Sequence, residues 1–496
     1  MLESHSKKAI IFNDSGTAIT RRTMGAYKIA GMMRDLGWQV EVLDWITHWT
    51  NNQITQFIND FGKVDLFAFG NLWMEDEFVI DKIEFLKQNF PNAKYLLGGP
   101  KPYQQNFGAD VMIFGYAEHA LAPVLNYMFD SGPIPNGNIP LFAPNSLLID
   151  ANKDYRALEI PNYHVQYIDT DYVLPSDTLT LEMTRGCRFR CKYCSYAFLG
   201  VKEDYSRSEE SIYNEIMDNY QKWGTTNYVI ADDTFNDRDI KIQRLANVVE
   251  RLPFEPNFTA FIRLDLIISR PQQLDLLIKA RVWGHFYGIE TFHPEAAKAI
   301  GKGMHPNRIK QGLLDTKAAF MDKLGLYRGT CGMIAGLPYE PVDSWYSSLE
   351  WMNENWDCYL FWALHISTDT NITTHSDFSI DAAKYGYTPT KDSKLLKWAT
   401  DQGLLDIKAQ HTHKLDKHIM IWEAEWASIK QAHNFADHYN NNYFGSIKVP
   451  NFELLNYYHI PEMLDITAKD AYIDQIYKSP ELKMIDTYIN KKIQSI

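Results

Sequence analysis

The sequence predicts an α/β protein in three parts: a Rossmann-like, doubly wound parallel sheet, a partial (βα)6 barrel, and a mostly helical C-terminal extension. Three observations carry this. Short apolar runs alternate with amphipathic stretches over residues 1–130. The same strand–helix rhythm resumes after a Pro/Gly-rich stretch and fills residues 177–370. Residues 371–496 contain neither a repeat nor a low-complexity tract. Strands that alternate with helices imply parallel sheets, with ligands at the carboxyl ends of the strands.

The elements follow in order. Residues 9–12 form a buried-strand run that ends in the turn cluster 13–16. Ala26, Ile29, Ala30, Met33 and Leu36 recur at helical spacing, and Gly37 closes that segment. Trp38, Val40 and Val42 alternate with Gln39 and Glu41, as in a strand with one drier face. Residues 65–70 read as a strand, Val79, Ile83, Leu86 and Phe90 mark a helix, and 95–100 and 111–115 are further strands. Gly70, Gly98, Gly99 and Gly115 fall at strand ends, where glycine either lets a backbone approach a ligand or simply ends the strand.

Residues 131–140, rich in Pro, Gly and Asn, read as the clearest linker, and 131–176 as the connection to the next domain. Residues 178–183 form the first barrel strand. Ser208 with Glu209 and Glu210 signals a helix start. Further strands at 228–231, 258–262, 286–289, 329–334 and 359–366 complete six. In barrels of this kind chemistry gathers at the carboxyl ends of the strands. Asp232 and Asp233, Arg263, Glu290, and the Gly336-Leu337-Pro338 turn all fall there.

Composition narrows the function classes. Lys plus Arg is 49 against 62 for Asp plus Glu, a net charge of −13, so nucleic acid is not a favoured partner. The first residues lack the apolar core of a signal peptide, and no apolar run approaches the roughly 18 residues of a membrane span. The expectation is a soluble, cytoplasmic protein with no membrane partner.

Five cysteines occur among 496 residues, and three of them, Cys187, Cys191 and Cys194, lie in Thr184-Arg185-Gly186-Cys187-Arg188-Phe189-Arg190-Cys191-Lys192-Tyr193-Cys194-Ser195. A structural zinc site normally closes with four ligands in two close pairs, and no second pair exists here. A disulfide framework does not suit so long and cysteine-poor a chain. Three thiolates on a short loop can instead hold three irons of a [4Fe–4S] cluster and leave the fourth open to a small ligand.

The CxxxCxxC spacing with Tyr193 before the last cysteine resembles the cluster motif of the radical SAM superfamily, and residues 177–370 resemble its core strand by strand. The resemblance implies a [4Fe–4S] cluster on the three cysteines and S-adenosylmethionine bound beside it. It places Asp232 and Asp233 near the amino group, Arg263 at the carboxylate, Glu290 at the ribose, and Gly336 and Pro338 near the adenine, with Tyr193 in the cluster loop. Leu97-Gly98-Gly99-Pro100, Ala109-Asp110-Val111 and Gly115-Tyr116-Ala117-Glu118 resemble the second half of a B12-binding-like domain. That implies Gly70, Gly98, Gly99 and Gly115 as cobalamin neighbours. The Asp-x-His-x-x-Gly sequence that supplies an axial histidine in some cobalamin proteins is missing; Asn13-Asp14-Ser15-Gly16-Thr17 stands after the first strand.

Seven of the 13 tryptophans lie between Trp345 and Trp426. They read as core packing or as the wall of a pocket for a flat substrate. His411, His413 and His418, flanked by Lys414 and Lys417, read as a solvated helix face rather than a metal site, and Asn440-Asn441-Asn442 as a loop. Residues 371–496 are the place expected to select the substrate.

Two classes of function follow. One is a radical SAM enzyme that cleaves S-adenosylmethionine reductively and forms a 5′-deoxyadenosyl radical acting on a small molecule. Its partner would be a low-potential electron donor such as flavodoxin or ferredoxin, and its reaction either cobalamin-dependent methylation or a cobalamin-independent rearrangement, cyclisation or oxidation. The other is a non-catalytic iron–sulfur or metal-binding scaffold, which would leave S-adenosylmethionine intact. Cys191→Ala is expected to lose both bound iron and 5′-deoxyadenosine formation, measured by iron assay and chromatography; an unchanged product yield would remove the cluster assignment.

Overall fold

The computed structural model describes residues 6–14, 21–70, 74–99, 107–139, 146–151, 163–175, 177–194, 206–356, 358–368, 376–404, 419–442 and 480–496. In chain order the strands that matter are β1 (Lys8–Phe12), β2 (Arg21–Arg22), β3 (Gln39–Leu43), β4 (Leu66–Gly70), β5 (Lys94–Gly99), β6 (Val111–Phe114), β7 (Asn138–Ile139) and β8 (Leu147–Asp150). The barrel strands are β9 (Thr178–Leu181), β10 (Asn227–Ile230), β11 (Asn257–Ile262), β12 (Val282–Glu290), β13 (Arg328–Ala335) and β14 (Tyr359–Ala363).

The first sheet runs β3-β1-β4-β5-β6-β8-β7, parallel except for β7. Strand order reverses at β1, so the crevice for a ligand lies beyond the carboxyl ends of β1 and β4. The second sheet runs β14-β13-β12-β11-β10-β9-β2, parallel throughout. The α/β class, the doubly wound first sheet and the six sequential barrel strands are as the sequence predicts.

Alternate residues of the first sheet feed two cores. Ile10, Phe12, Phe67, Phe69 and Leu97 pack with helices Asn51–Phe61 and Asp76–Asn89. Ala9, Ile11, Val42, Ala68 and Ile113 belong instead to the core that continues into the barrel through Leu179 and Leu181. One face of the first sheet is thus shared with the second.

Several expectations are corrected by long-range pairing. The stretch 131–176, read as a linker, contributes β7 and β8 to the first sheet; its Leu147-Leu148-Ile149 run supplies an apolar strand between β6 and the edge strand β7. Arg21 and Arg22, from the N-terminal region, add β2 to the barrel sheet. Strand β3, read as half dry, is buried at Glu41 because helix Pro480–Gln494 covers it. Lys492 Nζ lies 2.6 Å from Glu41 Oε2 and 3.6 Å from Asp171 Oδ1, and Tyr488 Oη donates to Val42 O. Asn440-Asn441-Asn442, read as a loop, ends helix Ile429–Asn442, whose Tyr439 and Phe435 pack on β14. His411, His413 and His418 lie outside the described residues. Among the described residues no helix is long and apolar enough to cross a membrane.

The closing helix generates a test. Lys492 is fully buried with two carboxylates, so Lys492→Met leaves Glu41 and Asp171 uncompensated in the interior. Removing one partner of such a cluster costs about 3–5 kcal/mol. Urea unfolding followed by circular dichroism should show that loss; a loss below about 1 kcal/mol, the scale of exposed pairs, would show that this helix end is not seated.

Candidate active site at the carboxyl end of the barrel

Strand β9 delivers a loop that is braced before it reaches the cysteines. Asp232 Oδ1 accepts from the backbone N–H groups of Met183 and Thr184, both at 2.9 Å, while Oδ2 accepts from the Thr184 hydroxyl and from Lys241 Nζ. Arg207 donates to the Glu182 carbonyl at 3.1 Å, and its backbone N–H to Met183 O. Further on, Lys192 N–H donates to Ile300 O, and Lys192 Nζ pairs with Asp377 at 2.5 Å. The loop is therefore held from the barrel and from the C-terminal extension.

Cys187, Cys191 and Cys194 are half-buried and form no disulfide. Thr234 Oγ1 stands 3.3 Å from Cys187 Sγ, and burial pushes that thiol up. Arg263 Nη1 stands 3.6 Å from Cys191 Sγ, a cation poised to stabilise a thiolate. Among the described residues no three His, Cys, Asp or Glu side chains converge as they would around one metal ion. A four-iron cluster, which spreads its three cysteines over three separate irons, does not need that convergence.

The residues singled out at strand ends are partly brought together. Tyr193 Oη donates to Glu290 Oε1 at 2.5 Å, and Lys302 Nζ reaches the same oxygen at 2.9 Å. Glu290 follows a register shift in β12 and has φ +71°, which turns its side chain back along the strand. A side chain at Gly288 would bring a Cβ within 2.4 Å of Glu290 Oε1, so glycine keeps that space clear. Arg263 forms a forked pair with Asp265, at 3.0 and 2.7 Å, and lies over the Phe189 ring. Gly336 has φ +97°, and its Cβ would meet Trp422 at 2.7 Å; its carbonyl accepts from Tyr387 Oη. Pro338 is buried in the same turn.

The two aspartates separate. Asp232 is spent inside the fold as the brace described above. Asp233 opens to solvent on the inner side of the barrel although protein walls it on most sides. Burial and then the neighbouring Asp232 push its carboxyl up to about 6.

The carboxyl end of the first sheet faces this loop. Open space surrounds the Cβ directions of Gly70 and Gly98, and Gly99 and Gly115 have φ +145° and +94°. The backbone at Gly70 and Gly98 is thus open to the close approach of a ligand. Beside it, Glu118, at the start of helix Glu118–Phe129, pairs with Arg185 of the cysteine loop. Arg185 also pairs with Glu182, whose other oxygen lies 2.5 Å from Lys28 Nζ. Burial pushes Glu182 up, but Lys28 and Arg185 outweigh it and hold the carboxyl at about 2. Arg185 stacks 4.5 Å over the Tyr116 ring, and its Nη1 is buried without a hydrogen-bond partner.

Sequence reasoning missed Arg185, Glu182, Glu118, Lys28 and Lys302. Two signals were present: an arginine immediately before Gly186-Cys187, and a lysine between Gly301 and Gly303. Lys28 carried none, since a lysine on an amphipathic helix reads as solvated. Glu340 was also missed. It is buried, accepts from the Thr291 hydroxyl at 2.5 Å, and so ties the residue after Glu290 to the β13 turn, where Tyr339 has φ +65°.

Residues 181–352 match the family model described as the radical SAM superfamily, whose members use a [4Fe–4S] cluster and S-adenosylmethionine. An uncharacterized methyltransferase of Synechocystis sp. is 22% identical over 296 residues, 52% of this chain and 52% of that protein. One of Pyrococcus horikoshii is 23% identical over 210 residues, 41% and 42% of the two chains. The chain spans about half the length of the curated relatives it matches, or less. Among solved structures, the radical S-adenosylmethionine methyltransferase TsrM from Kitasatospora setae, with tryptophan substrate and a SAM analog bound, aligns with TM-score 0.60 at 13% identity over 78% of this chain and 79% of that one. OxsB, a cobalamin-dependent S-adenosylmethionine radical enzyme with aqua-cobalamin bound, aligns with TM-score 0.60 at 12% identity over 99% and 80%. At these identities the likeness is one of fold.

Glu340 generates a test on stability. Burial pushes its carboxyl up to about 8, with the Thr291, Ser344 and Trp345 hydrogen bonds only partly opposing. The folded chain then holds a proton that the unfolded chain releases above about pH 4.5, so stability falls as pH rises from there to about 8. The slope approaches ~1.4 kcal/mol per pH unit. Glu340→Gln keeps an oxygen for Thr291 and should flatten that slope in urea titrations across this range; parallel profiles for the two proteins would refute the assignment.

Proposed function

Because the chain carries a radical SAM domain over residues 181–352, we propose that it is a radical SAM enzyme of the cobalamin-dependent methyltransferase type, acting on a small molecule. Cys187, Cys191 and Cys194 would hold the cluster, and Gly70, Gly98, Gly99 and Gly115 the corrinoid. When bound, these groups supply a low-potential electron that cleaves S-adenosylmethionine and a carrier for its methyl group. The chain's own residues bind, orient and exclude water. Asp233 offers an open carboxylate to the amino group of S-adenosylmethionine, Arg263 a guanidinium to its carboxylate, and Glu290, fixed by Tyr193 and Lys302, an acceptor to the ribose hydroxyls. The Gly336-Leu337-Pro338 turn would lie against the adenine. Asp232 is assigned a bracing role rather than a ligand's, since both its oxygens are already engaged.

The observation that carries this reading is the buried ion cluster of Glu118, Arg185, Glu182 and Lys28, which joins the carboxyl end of the first sheet to the cysteine loop. A cobalamin and S-adenosylmethionine held at those two ends would face each other across it. The methyltransferase names of the curated relatives and the cobalamin bound in OxsB support the same choice over a cobalamin-independent reaction. A low-potential donor such as flavodoxin or ferredoxin would reduce the cluster.

Anaerobic reconstitution with iron, sulfide and hydroxocobalamin tests it. The desalted protein should keep a corrinoid absorption band, and reduced protein should consume S-adenosylmethionine. No retained corrinoid removes the methyltransferase reading; intact S-adenosylmethionine removes the radical one. Glu290→Gln loses a charged acceptor, a change on the order of tenfold in S-adenosylmethionine Kd by equilibrium dialysis. An unchanged Kd would take Glu290 out of the site.

A further inference from the structure

The cysteine loop interleaves cations with its thiols. In Cys187-Arg188-Phe189-Arg190-Cys191-Lys192-Tyr193-Cys194 each interval between cysteines carries at least one basic residue. The side chains of the loop divide by surroundings. Phe189 packs against Arg263, and Tyr193 against Glu290. Arg188 and Arg190 are exposed, and Lys192 is half-buried. The cysteines are half-buried too, so whatever they hold lies close beneath this surface.

Two neighbouring segments extend the surface. Lys192 N–H donates to Ile300 O at 3.2 Å, and a Cβ at Gly301 would lie 3.9 Å from Arg190 O. The end of helix Pro294–Ala299, with its exposed Lys298, is thereby set against the loop. On the other flank Phe378 N–H donates to Lys192 O at 3.3 Å, which seats the turn Asp377–Ile380. Ile380 is 63% exposed, the most of any large apolar side chain among the described residues. Tyr385 packs on Phe378 within electrostatic reach of Lys192 and of Tyr339, which is 45% exposed. Exposed Lys384 adjoins them. The carboxylates here are Glu295, Asp377 and Asp381. Asp377 is paired with Lys192, and Asp381 accepts from the Lys384 N–H. Cations therefore prevail on this face, although the whole chain carries a net charge of −13.

We propose that this face docks an acidic one-electron carrier protein, with Arg188, Arg190, Lys298 and Lys384 as a cationic rim and Ile380 and Tyr339 as apolar anchors. The proposal rests on the radical SAM reading for the use made of the electron, but not for the docking. An apolar centre within a charged rim is the ordinary anatomy of a protein interface. Complementary charge orients the encounter, and the acidic remainder of the chain repels an acidic carrier from other approaches. The carrier loses one electron and the cluster gains it; no atom or proton crosses the interface.

The probes are oxidised flavodoxin and, separately, an oxidised two-iron ferredoxin, titrated into the full-length reconstituted protein by calorimetry. At least one should bind, and its Kd should rise about tenfold between roughly 50 and 300 mM salt, because exposed charges are screened. Arg190→Glu and, separately, Lys298→Glu should each weaken binding about three- to tenfold. Lys323→Glu, exposed at the end of its helix that precedes the start of β13, should leave the Kd unchanged. Iron content reports whether the loop variant still loads, and Lys298→Glu keeps the test open if it does not. Dithionite should bleach the cluster absorption of loaded variants at the wild-type rate, while the reduced carrier does so more slowly. Binding of neither carrier, binding indifferent to salt, or equal weakening by Lys323→Glu overturns the proposal. Self-association through the same residues without carrier binding, read by light scattering, overturns it as well. Formation of 5′-deoxyadenosine with dithionite is scored separately, so failure of the radical reading is distinguishable from failure of the docking face.

Discussion

Four charges without water decide how the two halves of this molecule meet. Lys28 and Glu118 belong to helices of the first sheet, and Glu182 and Arg185 to the loop that carries the cysteines. Lys28, Glu182 and Arg185 are buried and Glu118 is half-buried with them, and two cations balance two anions. Such a cluster is a poor source of stability, because desolvating four ions offsets most of their attraction. Its value is geometric. Displacing one member strands the others in the interior, so the cysteine loop and the carboxyl end of the first sheet keep one registry. The site between them inherits that registry, including Tyr116 under Arg185 and Asp233 at the barrel rim.

A second junction closes the far side. Arg22 pairs with Asp44 at 2.7 Å and Asp177 at 3.0 Å, and its guanidinium lies 4.7 Å from the Trp45 ring and 5.4 Å from the Tyr488 ring, which meet edge to face. These residues come from the first sheet, the barrel approach and the last helix. The aromatic faces and paired carboxylates together satisfy a cation that would otherwise be costly to bury. Strand β2 extends the barrel sheet by the same stroke. The domains are therefore joined by interleaved strands and ions rather than by a flexible tether.

At the strand ends, polar groups that look available are sorted by the layer behind them. Asp232 serves the loop backbone, which leaves Asp233 open. Glu340 ties Thr291 to the β13 turn and so supports the left-handed backbone of Glu290. Residues in that backbone region cost energy unless surrounding structure holds them, and here the neighbouring hydrogen bonds do so. The barrel rim is thus shaped by groups that never face the lumen.

Much was legible in the chain because it is local. Apolar periodicity placed β1, β3 to β6 and the six barrel strands within a few residues, since burial of one face is encoded in consecutive side chains. Three cysteines at CxxxCxxC spacing marked the loop proposed to hold the cluster for the same reason. What the sequence could not contain was the partner of each buried charge. Lys28 meets Glu182 and Lys492 meets Glu41 across 154 and 451 residues, and no local pattern distinguishes such lysines from solvated ones. The short strands β2, β7 and β8 were hidden likewise, because a short strand is defined by the neighbour it pairs with. Of seven clustered tryptophans, composition alone could not say which stays exposed; in the fold it is Trp362, on the edge strand β14. Local patterning determined which elements form and where the three cysteines gather. Tertiary packing decided which polar groups are spent in holding them and which are left open to act.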